Sequence, residues 1–399
     1  MSLFKNIVLA APDAILGLTD AFKADPHPQK INLGVGVFKD ENGVTPVLSS
    51  VKKAEKQLFA TEASKAYLPI SGAPAYATAV QDLLLGVDSE IVAAKRAVTL
   101  QTPGGTGALR LAGDFIATHF PQARIWISAP TWPNHPSIFS SAGVPQITYP
   151  YFNAETNGLD FEGMQAALKT MRPGDICLLH GCCHNPTGVD LTAAQWSEIA
   201  RIIKQREGLA LLDFAYQGFS AGIDEDAVGI RAFNDAGLEF FIASSFSKNF
   251  GLYNERVGAL TAVTADADAA ERVMSQLKLA VRTNYSNPPS HGGSVVTTIL
   301  NTPDLRREWR TELASMRNRI NGIRKLLVQN LQARNVSRDP SFMAKQHGMF
   351  SFSGLKPEEV KILQEKYSIY IVGSGRINVA GITEKNINYL CDAIAEVTQ

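Results

Sequence analysis

The run Phe240-Phe241-Ile242-Ala243-Ser244-Ser245-Phe246-Ser247-Lys248-Asn249-Phe250-Gly251-Leu252 starts as an apolar strand and ends in small hydroxyl residues around a single lysine. A short apolar run bounded by turn residues reads as a buried strand, here Phe240 to Ser244. The same form recurs on both sides of it. Ala97 to Gln101, Arg124 to Ser128, Ile176 to His180, Leu209 to Asp213 and Val257 to Val263 read as further buried strands. Gly107 to His119, Leu191 to Gln205 and Asp266 to Val281 carry helical periodicity between them. Such alternation, from about residue 46 to 310, predicts an α/β fold whose mostly parallel sheet is covered on both faces. Ligands then belong at the carboxyl ends of the strands, where Lys248 and Asp213 both fall.

Farther along, Asp304 to Arg334 keeps helical periodicity over 31 residues with no proline and one glycine. At a helical rise it spans roughly 46 Å, long enough to link domains. A separate mixture follows it: Gly348 to Ser353, Pro357 to Tyr367, Ile369 to Val372, Arg376 to Val379 and Thr383 to Val397. With 399 residues and 45% hydrophobic content, the chain exceeds the usual single core of about 250 to 300 residues, so two domains are expected.

Charge narrows the partners. Lys plus Arg number 38 and Asp plus Glu number 38, so no excess of either sign draws the chain to nucleic acid or an anionic membrane. The expected partner is a small molecule. Pro12 and Asp13 break the early apolar run too soon for a secretory segment, and no transmembrane stretch is present. Four cysteines in so long a chain make no disulfide framework, and reduced thiols in a cytoplasmic protein are the simpler reading. Cys177, His180, Cys182, Cys183 and His184 are dense, but no second pair at zinc-ligand spacing follows, so no metal is expected.

A lysine amine condenses with an aldehyde to give an imine, and pyridoxal phosphate is the common aldehyde partner. That cofactor needs a carboxylate at its ring nitrogen, donors and a cation at its phosphate, and a surface for its ring. Asp213 ends an apolar strand, Arg256 follows Lys248 by eight residues, and Thr102-Pro103-Gly104-Gly105-Thr106 precedes a helix whose positive end suits a phosphate. Each has a bland alternative: Asp213 also reads as a cap or turn, Asn185 before Pro186 as an ordinary turn, and Trp132 as packing.

Taken together, Asn32-Leu33-Gly34-Val35-Gly36-Val37, Thr102 to Gly107, Trp132-Pro133-Asn134-His135, His184-Asn185-Pro186-Thr187-Gly188, the Lys248 segment, Tyr285-Ser286-Asn287-Pro288-Pro289 and Ser374-Gly375-Arg376 resemble, in this order, the class I aminotransferases of pyridoxal phosphate fold type I. The aspartate and aromatic branch is the nearest. The resemblance implies a large domain with a seven-stranded sheet (46–310). It also implies a smaller α/β domain from both chain ends (1–45 and 311–399) and a homodimer with shared active sites.

By the same resemblance Lys248 forms the imine and moves the proton at the substrate Cα, Asp213 faces the ring nitrogen, and Asn185 and Tyr216 bond the phenolic oxygen. Gly104, Gly105, Thr106, Ser245, Arg256 and the partner's Tyr67 hold the phosphate, Trp132 stacks on the ring, and His135 and His180 support it. Gly36, Trp132, Asn185 and Arg376 meet the substrate, with Arg282 of the partner at its distal carboxylate. The implied activity is reversible amino transfer from L-aspartate to 2-oxoglutarate, between amino acids and 2-oxo acids, by a ping-pong mechanism.

Val37, Lys39, Thr45, Thr106 and Asn287 look like the aspartate branch. Ala66, Phe246, Leu68-Pro69-Ile70 and Ser290-His291-Gly292-Gly293 look like the aromatic one, which leaves aromatic or dual specificity as the alternative. Farther rivals are a lyase on the same cofactor, a non-catalytic scaffold and a zinc hydrolase.

Overall fold

The computed structural model describes residues 2–10 and 16–399. Seven strands form the main sheet: β1 (Ala97–Pro103), β2 (Ile125–Ala129), β3 (Gln146–Pro150), β4 (Ile176–His180), β5 (Leu209–Phe214), β6 (Phe240–Ser245) and β7 (Val257–Val263). Their spatial order is β1-β7-β6-β5-β4-β2-β3. β7 runs antiparallel to both β1 and β6, and the other pairs are parallel. Successive residues of a strand point to opposite faces, and here both faces are covered. Leu179, Leu212 and Ile242 join one buried cluster, while their neighbours Leu178, Leu211 and Ala243 join the other.

The sequence pattern missed β3. It lies at the sheet edge, with only Tyr149 buried and two of its five residues exposed, so it lacks a continuous apolar run. β1 runs two residues beyond its expected end, and α1 (Gly104–His119) begins directly from it, three residues earlier than its periodicity suggests.

From β4 the chain steps to β5 and β6 on one side, whereas β2 is followed by β3 on the other. The order therefore reverses between β2 and β4, and an open α/β sheet has its crevice outside the carboxyl ends at such a point.

The long helix α2 (Pro303–Ala333) is one residue offset from expectation because Pro303 occupies its first turn, where a missing N–H costs nothing. Leu305, Trp309, Leu313, Met316, Ile320, Ile323, Leu327 and Leu331 recur at helical spacing and are buried. Past α2 both chain ends meet. Ile31–Asn32 pairs in parallel with Ile369–Tyr370, and Phe350–Phe352 pairs antiparallel with Arg376–Asn378. Among the described residues no helix is long and apolar enough to cross a membrane.

Candidate active site

A cavity of 260 Å³ opens at the reversal point, where the carboxyl ends of β2, β4, β5 and β6 face the paired chain ends. Gly36, Gly105, Thr106, Trp132, His180, Asn185, Asp213, Tyr216, Ser245, Lys248, Arg256 and Arg376, all singled out from the sequence, line it. Gly104 adjoins it with φ +74°, and an added Cβ there would overlap the Arg256 guanidinium. Tyr67 is 91% exposed, and Arg282 lies on the surface, bonded to Ser286. Neither contributes to this chain's cavity.

Lys248 lies three residues past the end of β6, and its Nζ lies 4.9 Å from the centroid of the Tyr216 ring. Burial pushes its pKa down to about 8 against the opposing pull of Asp213, so the neutral amine is accessible near physiological pH. Burial acts on Asp213 in the opposite sense, but the His135 hydrogen bond and the nearby His135, His180 and Lys248 leave its carboxyl below its ordinary value. Asp213 is thus an anion at neutral pH.

A relay of side chains fixes that anion. The Asn185 N–H donates to His180 Nδ1 at 3.3 Å, so the His180 proton is on Nε2, which donates to Thr131 Oγ1 at 3.1 Å. The Thr131 hydroxyl then donates to His135 Nδ1 at 2.7 Å, and His135 Nε2 donates to Asp213 Oδ2 at 2.9 Å. Burial, with His135 beside it, drops His180 to about 3, so its ring enters the relay neutral.

The opposite corner gathers donors for an anion. Arg256 Nη1 donates to Ser247 Oγ at 3.3 Å and to the Tyr253 carbonyl at 3.0 Å, and Ser245 donates to Ser247 at 3.2 Å. Gly105 and Thr106 add the first turn of α1, whose free backbone N–H groups favour negative charge. Arg256 has φ +55°, an uncommon backbone state for a non-glycine residue and one that clusters at functional sites.

Across the cavity, Arg376 is 2% exposed, and burial lowers its pKa to about 10. Nη1 donates to Asn185 Oδ1 at 3.1 Å and Nη2 to the Gly34 carbonyl at 2.6 Å, with the guanidinium 4.1 Å from the Phe350 ring centroid. Its Nε is buried and has no hydrogen-bond partner among the described residues. A buried cation with an unspent donor seats a carboxylate.

Residues 28–394 match the family model described as aminotransferase class I and II. The chain belongs to this aminotransferase family. It is 54% identical to the aspartate aminotransferase of Salmonella typhi over 395 residues, covering 99% of this chain and 100% of that protein. The aspartate aminotransferase of Escherichia coli K12 is 53% identical, again over 99% of this chain and 100% of that protein. The crystal structure of the aromatic-amino-acid aminotransferase of Burkholderia pseudomallei, covalently bound to pyridoxal phosphate, superposes with a TM-score of 0.98 at 50% identity, covering 100% of both chains.

The aminotransferase cavity fits pyridoxal phosphate by its donor set: an anionic carboxylate for a protonated ring nitrogen, a serine and arginine corner for a phosphate, and a lysine amine in the same lining. Thr131, Ser247 and Phe350 were missed in the sequence. Ser247 was legible in the Ser245-Phe246-Ser247 alternation, which turns both hydroxyls to one side. Phe350 has no local signal, because Arg376 lies 26 residues away, and Thr131 bonds His135 four residues on but meets His180 only across 49 residues.

His180 and His184 both have their ring nitrogens engaged, the latter with Ser128 and Thr187. Cys182, Cys183 and Asp226 lie within 4.8 Å of one another, but Asp226 already accepts the N–H groups of Gly218, Ser220, Ala221 and Gly222.

Proposed function

We propose that this aminotransferase moves the amino group of L-aspartate to 2-oxoglutarate, reversibly and in two half-reactions. The observation that supports it most directly is the facing pair at one cavity: the Lys248 amine, poised near neutrality, and the unspent Arg376 donor. Pyridoxal phosphate, when bound, supplies an aldehyde and an electron-withdrawing ring. Asp213, held ionised by His135, keeps the ring nitrogen protonated. Asn185 and the Tyr216 hydroxyl, which burial keeps protonated, lie beside it as further donors. Gly104, Gly105, Thr106, Ser245 and Arg256 hold the phosphate, and Trp132 covers the ring. Arg376 fixes the substrate α-carboxylate, Gly36 closes over it, and Lys248 takes and returns the proton at Cα.

Arg282 and Tyr67 serve the active site of a second copy in this reading, which makes the protein a homodimer with shared sites. Leu3, Phe4, Ile7, Val8, Leu9 and Phe59, each at least 70% exposed, supply apolar surface for that contact. A demonstrated monomer that kept full specific activity would sink the shared site. The large unit spans 46–310, and a smaller one combines 1–45 with 311–399. Four free, buried cysteines suit a reducing compartment, the cytoplasm.

Aromatic or dual specificity is the second reading, favoured by the 50% identical Burkholderia relative named for aromatic amino acids. An absorbance spectrum of the loaded protein before and after L-aspartate, without a keto acid, separates the two. Loss of the visible band with equimolar oxaloacetate is the expected result. A band that phenylalanine bleaches and aspartate leaves intact moves the enzyme to the aromatic reading.

A further inference from the structure

Arg319 lies near the middle of α2 with its guanidinium where both chain ends converge. Nη2 donates to the carbonyls of Asp40 and Ile382, each at 3.0 Å, and Nη1 reaches the Ala380 carbonyl at 3.5 Å. Its Cζ is 5.7 Å from the Phe38 ring centroid. The partners are thus backbone oxygens from two segments about 340 residues apart in sequence. A planar fork with several fixed donors suits that task, and a lysine ammonium cannot reproduce its geometry.

Both segments lead directly into the cavity. One runs from Gly34 to Asp40. Its Gly34 carbonyl accepts from Arg376, its Val35 and Val37 carbonyls accept from Asn378 Nδ2 at 2.7 and 2.8 Å, and the Phe38 N–H donates to the Tyr253 hydroxyl at 2.9 Å. The other is the turn Val379–Gly381, which directly follows the strand Arg376–Asn378. Arg376 spends one amino group on Gly34, so its aim depends on where the Gly34–Asp40 segment sits. Arg319 fixes that segment against the turn behind Arg376, and among the described residues its hydrogen bonds go to Asp40, Ala380 and Ile382 on this side of the cavity.

We infer that Arg319 is a positioning residue for substrate binding: by joining Asp40 to Ala380 and Ile382 it sets the aim of Arg376 and the Gly36 edge, without touching substrate or cofactor. This rests on the proposed role of Arg376 as the α-carboxylate seat. A solely structural arginine would lower thermal stability and leave substrate affinity unchanged.

The test uses the full-length protein loaded with pyridoxal phosphate, with R319Q and R319K beside wild type. Succinate, a dicarboxylate with no amine to transfer, is titrated by calorimetry, and the visible band, KM and kcat for aspartate are measured in parallel. R319Q is expected to bind succinate about tenfold more weakly and to raise KM by a similar factor, with kcat within about threefold and the visible band unchanged. R319K is expected to fall between, since it retains the charge and part of the donor set. Hydrogen exchange should quicken at residues 34–40 in R319Q. Unchanged succinate affinity in folded R319Q overturns the inference, as does a loss confined to kcat. If R319Q does not fold, wild-type succinate affinity in R319K overturns it equally. A wild type whose band aspartate does not bleach overturns the functional reading and this inference together, whereas a normal wild type with unaffected variants removes only Arg319.

Discussion

The two sides of the cavity are built on different principles. The side carrying Lys248, Asp213 and Asn185 sits on the ends of adjacent parallel strands, so its residues fall just past apolar runs and their spacing follows from the sheet. The side carrying Arg376, Phe350 and Gly36 has no sheet of that size beneath it. It is held by side chains gripping backbone oxygens across the chain ends, Arg376 on Gly34, Asn378 on Val35 and Val37, and Arg319 on Asp40 and Ile382. A rigid sheet suits residues that must keep one geometry through the chemistry, whereas a seat made of side-chain clips suits residues that must grip and release substrate.

The sharpest way to break this comparison is Lys248→Ala. Losing both the amine and the proton carrier should cut the turnover of the loaded enzyme by about 10⁴-fold or more, with the fold retained. Steady-state rates beside a thermal melt check it, and activity within tenfold of wild type would remove Lys248 from the chemistry.

Next in size is Arg376→Lys on the other side. A lysine cannot donate to Gly34, Asn185 and a carboxylate with the guanidinium's planar spread, so kcat/KM should fall about 10²-fold, mainly through KM. The visible band should form normally. An equal loss in kcat alone would show that the two sides are not separable.

The smallest effect expected is in pH. With Lys248 at about 8, the neutral amine fraction of the cofactor-free protein falls about tenfold per pH unit below that value. The visible band should form faster as pH rises to about 8 and then level off. The sign for stability follows from the same group. Between about 8 and the ordinary lysine value of 10.5 the unfolded chain holds more protons, so the stability of the cofactor-free protein gains from Lys248 as pH rises through that window. Urea midpoints across pH 8 to 10.5 in wild type and Lys248→Met check the difference.

Much of the sheet was legible because both-face burial makes its strands run apolar up to their polar ends, as in Ile176–His180 and Phe240–Ser245. The edge strand Gln146–Pro150 was not, since half-exposure dilutes that signal. Lys248 and Asp213 stood out as charges ending apolar strands, and Arg256 by following Lys248 at eight residues. Thr131 between His135 and His180 did not, because a threonine in a loop looks the same whether or not two imidazoles converge on it.

By itself the sequence determined the alternating strands and helices, the long helix, and the charged residues at strand ends, because periodicity and burial leave local marks. Only the tertiary structure decided that Ile31 meets Ile369, that Arg376 turns to Gly34 across 342 residues, and that Arg319 closes the junction. Those contacts are made by backbone oxygens, which every residue possesses, so no residue type in the chain records which of them will be used.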